Sequence, residues 1–279
     1  MHPILLDFGR HDLPFVGETH LYLPTYGVLL ALGVVVAWTL WVRLLRRDGL
    51  PTDRAGDIGF FGLLAGLVGA KLVLYVVDWR DYLESPRLFL ETCRSAGAIW
   101  GGVIAGVGVV VLLSRRYGLP TAGVLDTLAA PVALAQAIGR VGCFLAGCCW
   151  GAACAKPWAV TFGPEGEENT GVPAGVPRHP VQIYEAAALL GIAAATLLLH
   201  RRPGRRPGDS VLTYLLFYAA ARAVLEVFRD DPERGLFLRG VVSGGVSTGQ
   251  IMSAAVAVAA LAALALRRRG ATAAGQAPR

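Results

Sequence analysis

The sequence predicts an all-α polytopic membrane protein with seven transmembrane helices, its N-terminus outside and its C-terminus cytoplasmic. Three observations carry that expectation. Hydrophobic residues make up 54% of the 279-residue chain and charged ones only 16%, with a mean hydropathy of +0.53, too apolar for a soluble domain of this length. Seven apolar runs recur, each close to the roughly 20 residues that a helix needs to cross a bilayer. Arginines cluster after every second run, the bias that orients a chain in a cytoplasmic membrane. The net charge of +6 therefore reports orientation, and no nucleic-acid partner is expected.

The first span covers about 22–45 and opens on Tyr26-Gly27, a tyrosine of the interfacial type. No basic region precedes it, so it is expected to be retained rather than cleaved. Arg43, Arg46, Arg47 and Arg54 follow it. The second span, about 58–77, holds Lys71 and Tyr75 one helical turn apart. Lys71 either snorkels, pairs with an acid or serves the site. The third, about 98–113, contains Trp100-Gly101-Gly102, a bulky residue beside two small ones that reads as a packing joint, and Arg115 and Arg116 follow. The fourth, about 124–145, carries Gln136 and Arg140.

A long outer-face loop, about 148–179, is rich in Gly, Pro and Glu and contains Trp158-Ala-Val-Thr-Phe162, readable as a short strand. The fifth span, about 180–199, starts at Pro180, with His179, Gln182 and Glu185 stepping by threes. Four arginines from Arg201 to Arg206 follow. The sixth, about 211–228, and the seventh, about 248–266, complete the set, and Arg267, Arg268 and Arg269 end it. The even-numbered exits also carry arginines, but there Asp and Glu dilute them. Residues 1–269 are expected to form a single domain, and 270–279, rich in Ala and Gly without periodicity, a disordered cytoplasmic tail.

Polar residues inside apolar spans point to function, because each is costly there. Arg140 sits in a segment whose glycines, at 139, 142, 147 and 151, admit a close backbone or ligand. In the sixth span Tyr214, Tyr218, Arg222, Glu226 and Arg229 fall on one helical stripe. Arg222 and Glu226 are an i,i+4 pair of opposite sign, either a structural bridge or part of a site. His179 at a membrane mouth is a base, a phosphate ligand or an interfacial anchor. Cys143, Cys148, Cys149 and Cys154 are spaced five, one and five, unlike a zinc ribbon or CxxC. No metal site is expected. A disulfide among Cys148, Cys149 and Cys154 fits an oxidising outer face, with Cys93 a further partner and Cys143 too deep to join.

The segment Gly139-Arg140-Val-Gly142-Cys143-Phe144…Gly147…Trp150-Gly151 resembles the signature of the prolipoprotein diacylglyceryl transferase family. Supporting matches are Tyr26-Gly27, Gly69-Ala70-Lys71…Tyr75-Val76, Gly101-Gly102, His179-Pro180-x-Gln182-x-Tyr184-Glu185, Arg222-x-x-x-Glu226-x-Phe228-Arg229 and Gly249-Gln250-Ile251. The resemblance implies a seven-span enzyme of the bacterial cytoplasmic (inner) membrane with an outward-facing site. Its implied substrates are phosphatidylglycerol and the lipobox cysteine of a preprolipoprotein signal peptide, and its setting is membrane lipid. It implies substrate contacts at Tyr26, Arg140, Gly142, Gly151, Gln182 and Arg229. The chain departs from the pattern at Trp100, Cys143 and Cys148, where the family has His, Asn and Glu, and at Lys71, where it has Arg.

The implied reaction displaces glycerol 1-phosphate from an sp³ carbon by a thiol. It needs a thiolate and a stabiliser for the departing phosphate. Arg140 and Arg222 are the candidates for the phosphate, because guanidinium binds its oxygens in a bidentate way. Arg140 has no acid three or four residues away, so its anion is expected to be the substrate. Glu226 orients Arg222, and His179 is the candidate base. The cysteines are expected to be structural, and no metal or organic cofactor is required. Two other classes remain: a non-catalytic or altered-substrate lipid-binding relative, and a small transporter whose charges line a path.

Overall fold

The computed structural model describes residues 3–13, 17–84, 99–230, 236–237 and 246–275. A hairpin of β1 (Ile4–Leu13) and β2 (Gly17–Pro24) leads into α1 (Thr25–Arg47). Then come α2 (Ala55–Val77), a short α3 (Trp79–Glu84), α4 (Ile99–Arg116) and α5 (Thr121–Ala146). The loop after α5 carries β3 (Val160–Thr161), α6 (Pro164–Thr170) and β4 (Pro177–Arg178). It leads to α7 (Val181–His200) and α8 (Asp209–Leu225), which ends in a 3-10 turn, Glu226–Phe228. A two-residue ladder of β5 (Leu236–Phe237) with β6 (Val246–Ser247) precedes α9 (Thr248–Gly275). Seven of the described helices are long and apolar enough to cross a membrane, and they coincide with the seven expected spans.

Contacts divide the chain into two compact units, one of Met1–Thr39 with Leu128–Arg279 and one of Leu40–Thr127. In the second, α2 packs on α4 through a seam of small residues. A Cβ on Gly69 would lie 2.6 Å from the Gly101 carbonyl oxygen, and one on Gly102 would lie 2.9 Å from that of Gly66. Apolar lipid gives helices no hydrophobic reason to associate, so backbones must come this close to gain dispersion contacts. The Gly101-Gly102 joint read from sequence is this seam. Two polar bonds add to the unit: Trp41 Nε1 donates to Thr127 Oγ1 at 3.0 Å, and the Tyr117 hydroxyl donates to Asp57 Oδ2 at 2.8 Å.

In the first unit α8 packs against both α7 and α9. Its buried core joins Ala133 and Ala137 of α5 to Leu189, Ile192 and Ala193 of α7, with Tyr214 and Tyr218 of α8 against them. The small residues of α5 bring those tyrosines close to the helix that carries Arg140.

Local features differ from the sequence reading, and three of them bear on how the spans begin, connect and end. The hairpin before α1 was not foreseen; its strands bulge at Asp7–Gly9, where Gly9 takes a left-handed backbone and donates its N–H to Asp7 Oδ1 at 2.8 Å. The expected strand at 158–162 shortens to Val160–Thr161, paired with Pro177–Arg178. The last helix runs to Gly275, beyond the expected end of the seventh span at about 266, through Ala271, Ala273 and Ala274, which are strong helix formers.

Candidate active site

Helix α5 delivers Arg140 and then stops abruptly. Gly147 adopts φ +82°, and the Cys148 N–H donates back to the Cys143 carbonyl at 3.1 Å. This six-to-one bond with a left-handed glycine is a Schellman stop. Cys149 follows at φ +57°, the single non-glycine with positive φ among the described residues, a conformation that L side chains adopt at a cost. The two left-handed residues fold the chain back on its own helix end. The sulfurs of Cys143, Cys148 and Cys149 consequently lie within 4.8 Å of one another.

This corrects the reading that Cys143 is too deep to join the others. Depth was counted along a straight helix, and the chain reverses instead. The expected disulfide among Cys148, Cys149 and Cys154 is also corrected, since all of them, with Cys143, are free thiols; Cys93 lies outside the described residues. Hydrogen bonds from Cys143 and Cys148, with the charges of Arg140 and Arg229, hold the Cys149 thiol below its ordinary value against the opposing effect of burial. Gln182 of α7, only 1% exposed, fixes the turn by donating from Nε2 to the Cys148 carbonyl at 2.7 Å. Tyr26 of α1 lies beside this group, and a Cβ on Gly142 would stand 3.2 Å from its ring.

Arg140 is not left to await a ligand alone. Its Nε lies 3.1 Å from Glu185 Oε2, with both side chains largely buried. The expectation that only the substrate would serve as its anion is corrected accordingly. Scanning for acids at three and four residues finds partners on the same helix, and Glu185 comes from α7. Tyr218 of α8 hydrogen-bonds Arg140 as well and also feels the charge of Arg222. Tyr218 stacks on Tyr214, centroids 5.9 Å apart, and the Tyr214 hydroxyl donates to Gln136 Oε1 at 2.8 Å. The polar stripe of α8 thus faces the Gln136–Arg140 face of α5.

Further along the stripe Arg222 pairs with Glu226 as expected, Glu226 being fully buried. Gly249, at the start of α9, lies against this pair: a Cβ there would sit 2.9 Å from Glu226 Oε2 and 3.2 Å from Arg222 Nη2. Arg229 is buried, and its backbone bridges to Gly151. Gly151 has no room for a side chain either, because a Cβ would lie 2.6 Å from Val181 Cγ2.

His179 precedes α7. Its Nδ1 is 3.2 Å from the Tyr184 hydroxyl, and its ring meets Phe228 edge-on at 5.3 Å. Trp158 Nε1 donates to the same tyrosine at 2.7 Å. Sequence reasoning did not single out Arg178. It donates to the Gly151 carbonyl at 3.0 Å and lies over the Trp150 ring at 4.5 Å, tying the outer loop down. Tyr26, Arg140, Gly142, Gly151, His179, Gln182, Arg222, Glu226 and Arg229 all belong to the first unit, whereas Lys71 and Trp100 belong to the second. Two guanidiniums braced by carboxylates, beside clustered thiols in an apolar frame, form a site suited to an anionic headgroup and a sulfur nucleophile.

Comparison with known proteins gives a consistent picture. The sequence model of the prolipoprotein diacylglyceryl transferase family matches residues 15–266. A phosphatidylglycerol–prolipoprotein diacylglyceryl transferase of Clostridium tetani is 30% identical over 74% of this chain and 81% of its own length. A protein of the same name from Dehalococcoides mccartyi is 34% identical over 78% of this chain and 83% of its own. One from Methylibium petroleiphilum is 28% identical over 87% and 89%.

Proposed function

We propose, from the premise that the chain belongs to the prolipoprotein diacylglyceryl transferase family, that it transfers diacylglyceryl from phosphatidylglycerol to the lipobox cysteine of preprolipoproteins. Glycerol 1-phosphate leaves. Under this reading it is a multi-pass enzyme of the bacterial cytoplasmic membrane with its N-terminus and long loop outside. The observation that carries the reading is Arg140, braced through Nε by Glu185 at the start of the glycine-rich segment.

The chemistry follows from that brace. Glu185 takes one edge of the guanidinium, and the terminal nitrogens are the part suited to phosphate oxygens. As the C–O bond of the lipid breaks, negative charge grows on the phosphate. Arg140 and Arg222 offset it in a medium of low dielectric, where such attraction far exceeds its value in water. Glu226 orients Arg222. Gly142 packs closely on Tyr26, and Tyr26, Gly142, Gly151, Gln182 and Arg229 are the residues that the family resemblance implies at the substrates. His179 is the candidate base, with Tyr184 fixing its ring through Nδ1.

The test is a lipidation assay. Membranes containing the chain are given a lipobox peptide and phosphatidylglycerol, and the peptide mass is followed. A gain of one diacylglyceryl group on the cysteine is the expected result. An unmodified peptide, with the chain correctly inserted and the lipid bound, would establish instead the non-catalytic lipid-binding relative that Trp100 and Cys148 leave open.

A further inference from the structure

We propose that Cys143, Cys148 and Cys149 form a three-thiolate zinc site whose fourth position takes the thiol of the substrate cysteine. The proposal rests on the transferase reading above and names how the nucleophile is activated. Its basis is geometry. Three sulfurs, one from α5 and two from the turn that follows it, are gathered within 4.8 Å. Around a tetrahedral zinc with bonds of about 2.3 Å, sulfurs stand about 3.8 Å apart, so closure needs a movement of at most about 1 Å.

The gathering has a structural cost. Cys149 holds a left-handed backbone that a glycine would take without penalty. Gln182, almost fully buried, is spent on the carbonyl of Cys148 and fixes the orientation of that ligand. Three thiolates with one zinc carry a net negative charge, and the positive charge of Arg229 offsets it, alongside that of Arg140, which Glu185 already shares. Cys143 is buried while Cys148 and Cys149 are half-exposed, so the remaining coordination position opens on their side. Three protein ligands with one open position is the arrangement of catalytic zinc, and zinc adds no redox chemistry of its own.

The step balances simply. The substrate thiol displaces water from zinc and gives its proton to His179, the candidate base, which passes it to solvent. The zinc-held sulfur attacks the glycerol carbon and forms the C–S bond. The C–O bond to phosphate breaks, and its electron pair leaves with glycerol 1-phosphate. The product thioether is neutral and a poor zinc ligand, so it departs and water returns.

An ordinary cysteine, with a pKa of about 8.5, is only about 3% thiolate at pH 7, so full deprotonation by zinc accelerates the step by up to about 30-fold. The experiment uses the full chain in detergent under anaerobic reducing conditions. It measures bound zinc, the sulfur-to-cobalt charge-transfer band after cobalt(II) loading, and transfer before and after chelation and reloading. One zinc per chain is expected. The cobalt band should intensify with a lipobox peptide and not with its Cys→Ser analogue. Chelation should slow transfer by about 30-fold near pH 7 and restore a steep rise of rate with pH. Cys149→Ser and Cys148→Ser should each lose the cobalt band, and the wild-type chelation series needs neither variant to fold.

A chain that takes up no stoichiometric zinc, a metal retained when all three cysteines are replaced, or a Cys148–Cys149 disulfide in native membranes overturns the site. Undiminished transfer by the metal-free enzyme overturns it while leaving the transferase reading intact. A normal cobalt response without transfer in any form overturns the transferase reading and leaves the zinc site standing.

Discussion

Arg140 of α5 and Glu185 of α7 form a largely buried ion pair, Nε to Oε2 at 3.1 Å. Each would be costly alone in an apolar frame, and together they bring one positive group to the end of the helix without leaving it unpaired. The pair uses one edge of the fork. Lysine at 140 would keep the charge but offer a single point, so it cannot hold Glu185 and a phosphate in the same way. Arg140→Lys should therefore lower transfer by at least about 100-fold in a lipobox-peptide assay, in line with the loss of a preorganised donor. Transfer at the parent rate would remove the phosphate clamp from Arg140. Glu185→Gln should fall between the two, because the amide still accepts a hydrogen bond but no longer balances the charge.

The Arg222–Glu226 pair makes a different prediction. Removing Arg222 takes a paired cation away from a fully buried carboxylate. Arg222→Ala should cost about 3–5 kcal/mol of stability and abolish transfer. Arg222→Ala with Glu226→Ala should regain much of that stability in thermal unfolding and still fail to turn over. Full activity in the double variant would reduce the pair to a bridge between helices.

Glycine 249 tests the same region through space alone. A methyl group there must push on Glu226 Oε2 and Arg222 Nη2. Gly249→Ala should cost about 1–3 kcal/mol despite alanine's better helix propensity, and should lower transfer. Unchanged stability and rate would show that α9 can move away freely.

The α2–α4 seam offers an internal control. Gly101 and Gly108 lie on the same helix, but a Cβ at Gly101 meets Gly69 and Val73 at less than contact distance while one at Gly108 meets nothing within 4 Å. Gly101→Ala should lower the unfolding temperature of the purified protein, and Gly108→Ala should leave it the same or raise it slightly. Equal effects would mean that the seam does not hold the two helices.

Orientation is tested with reporter fusions. Those at Gly118 and Gly204 should read as cytoplasmic and one at Gly166 as external, given the arginines after every second span. A cytoplasmic signal from Gly166 would invert the orientation and remove the outward-facing site.

The seven spans were legible because the bilayer dictates their length and forbids most charge within them. The Arg222–Glu226 pair was legible because helical geometry alone sets its spacing. The Arg140–Glu185 pair was not, since its partners meet only when α5 and α7 pack. The cysteine group was hidden by two left-handed residues, of which Gly147 was a readable stop signal and Cys149 was not. Helix α6 did carry local signals, with Pro164 at its start and Gly171 left-handed at its end. The β1–β2 hairpin had no clean alternation, and β-propensity depends on the neighbours a strand finds.

The contact of Gly249 with Glu226 also has a bearing on biogenesis. Residue 249 emerges from the ribosome after every other residue of the candidate site. Until the seventh span enters the bilayer, the Arg222–Glu226 pair lacks the backbone that lies against it in the finished fold. A nascent chain of six spans therefore holds both charges of the pair but not their enclosure. The backbone of the seventh span completes the surroundings of the pair, so a chain of six spans cannot present the finished site to the surrounding lipid.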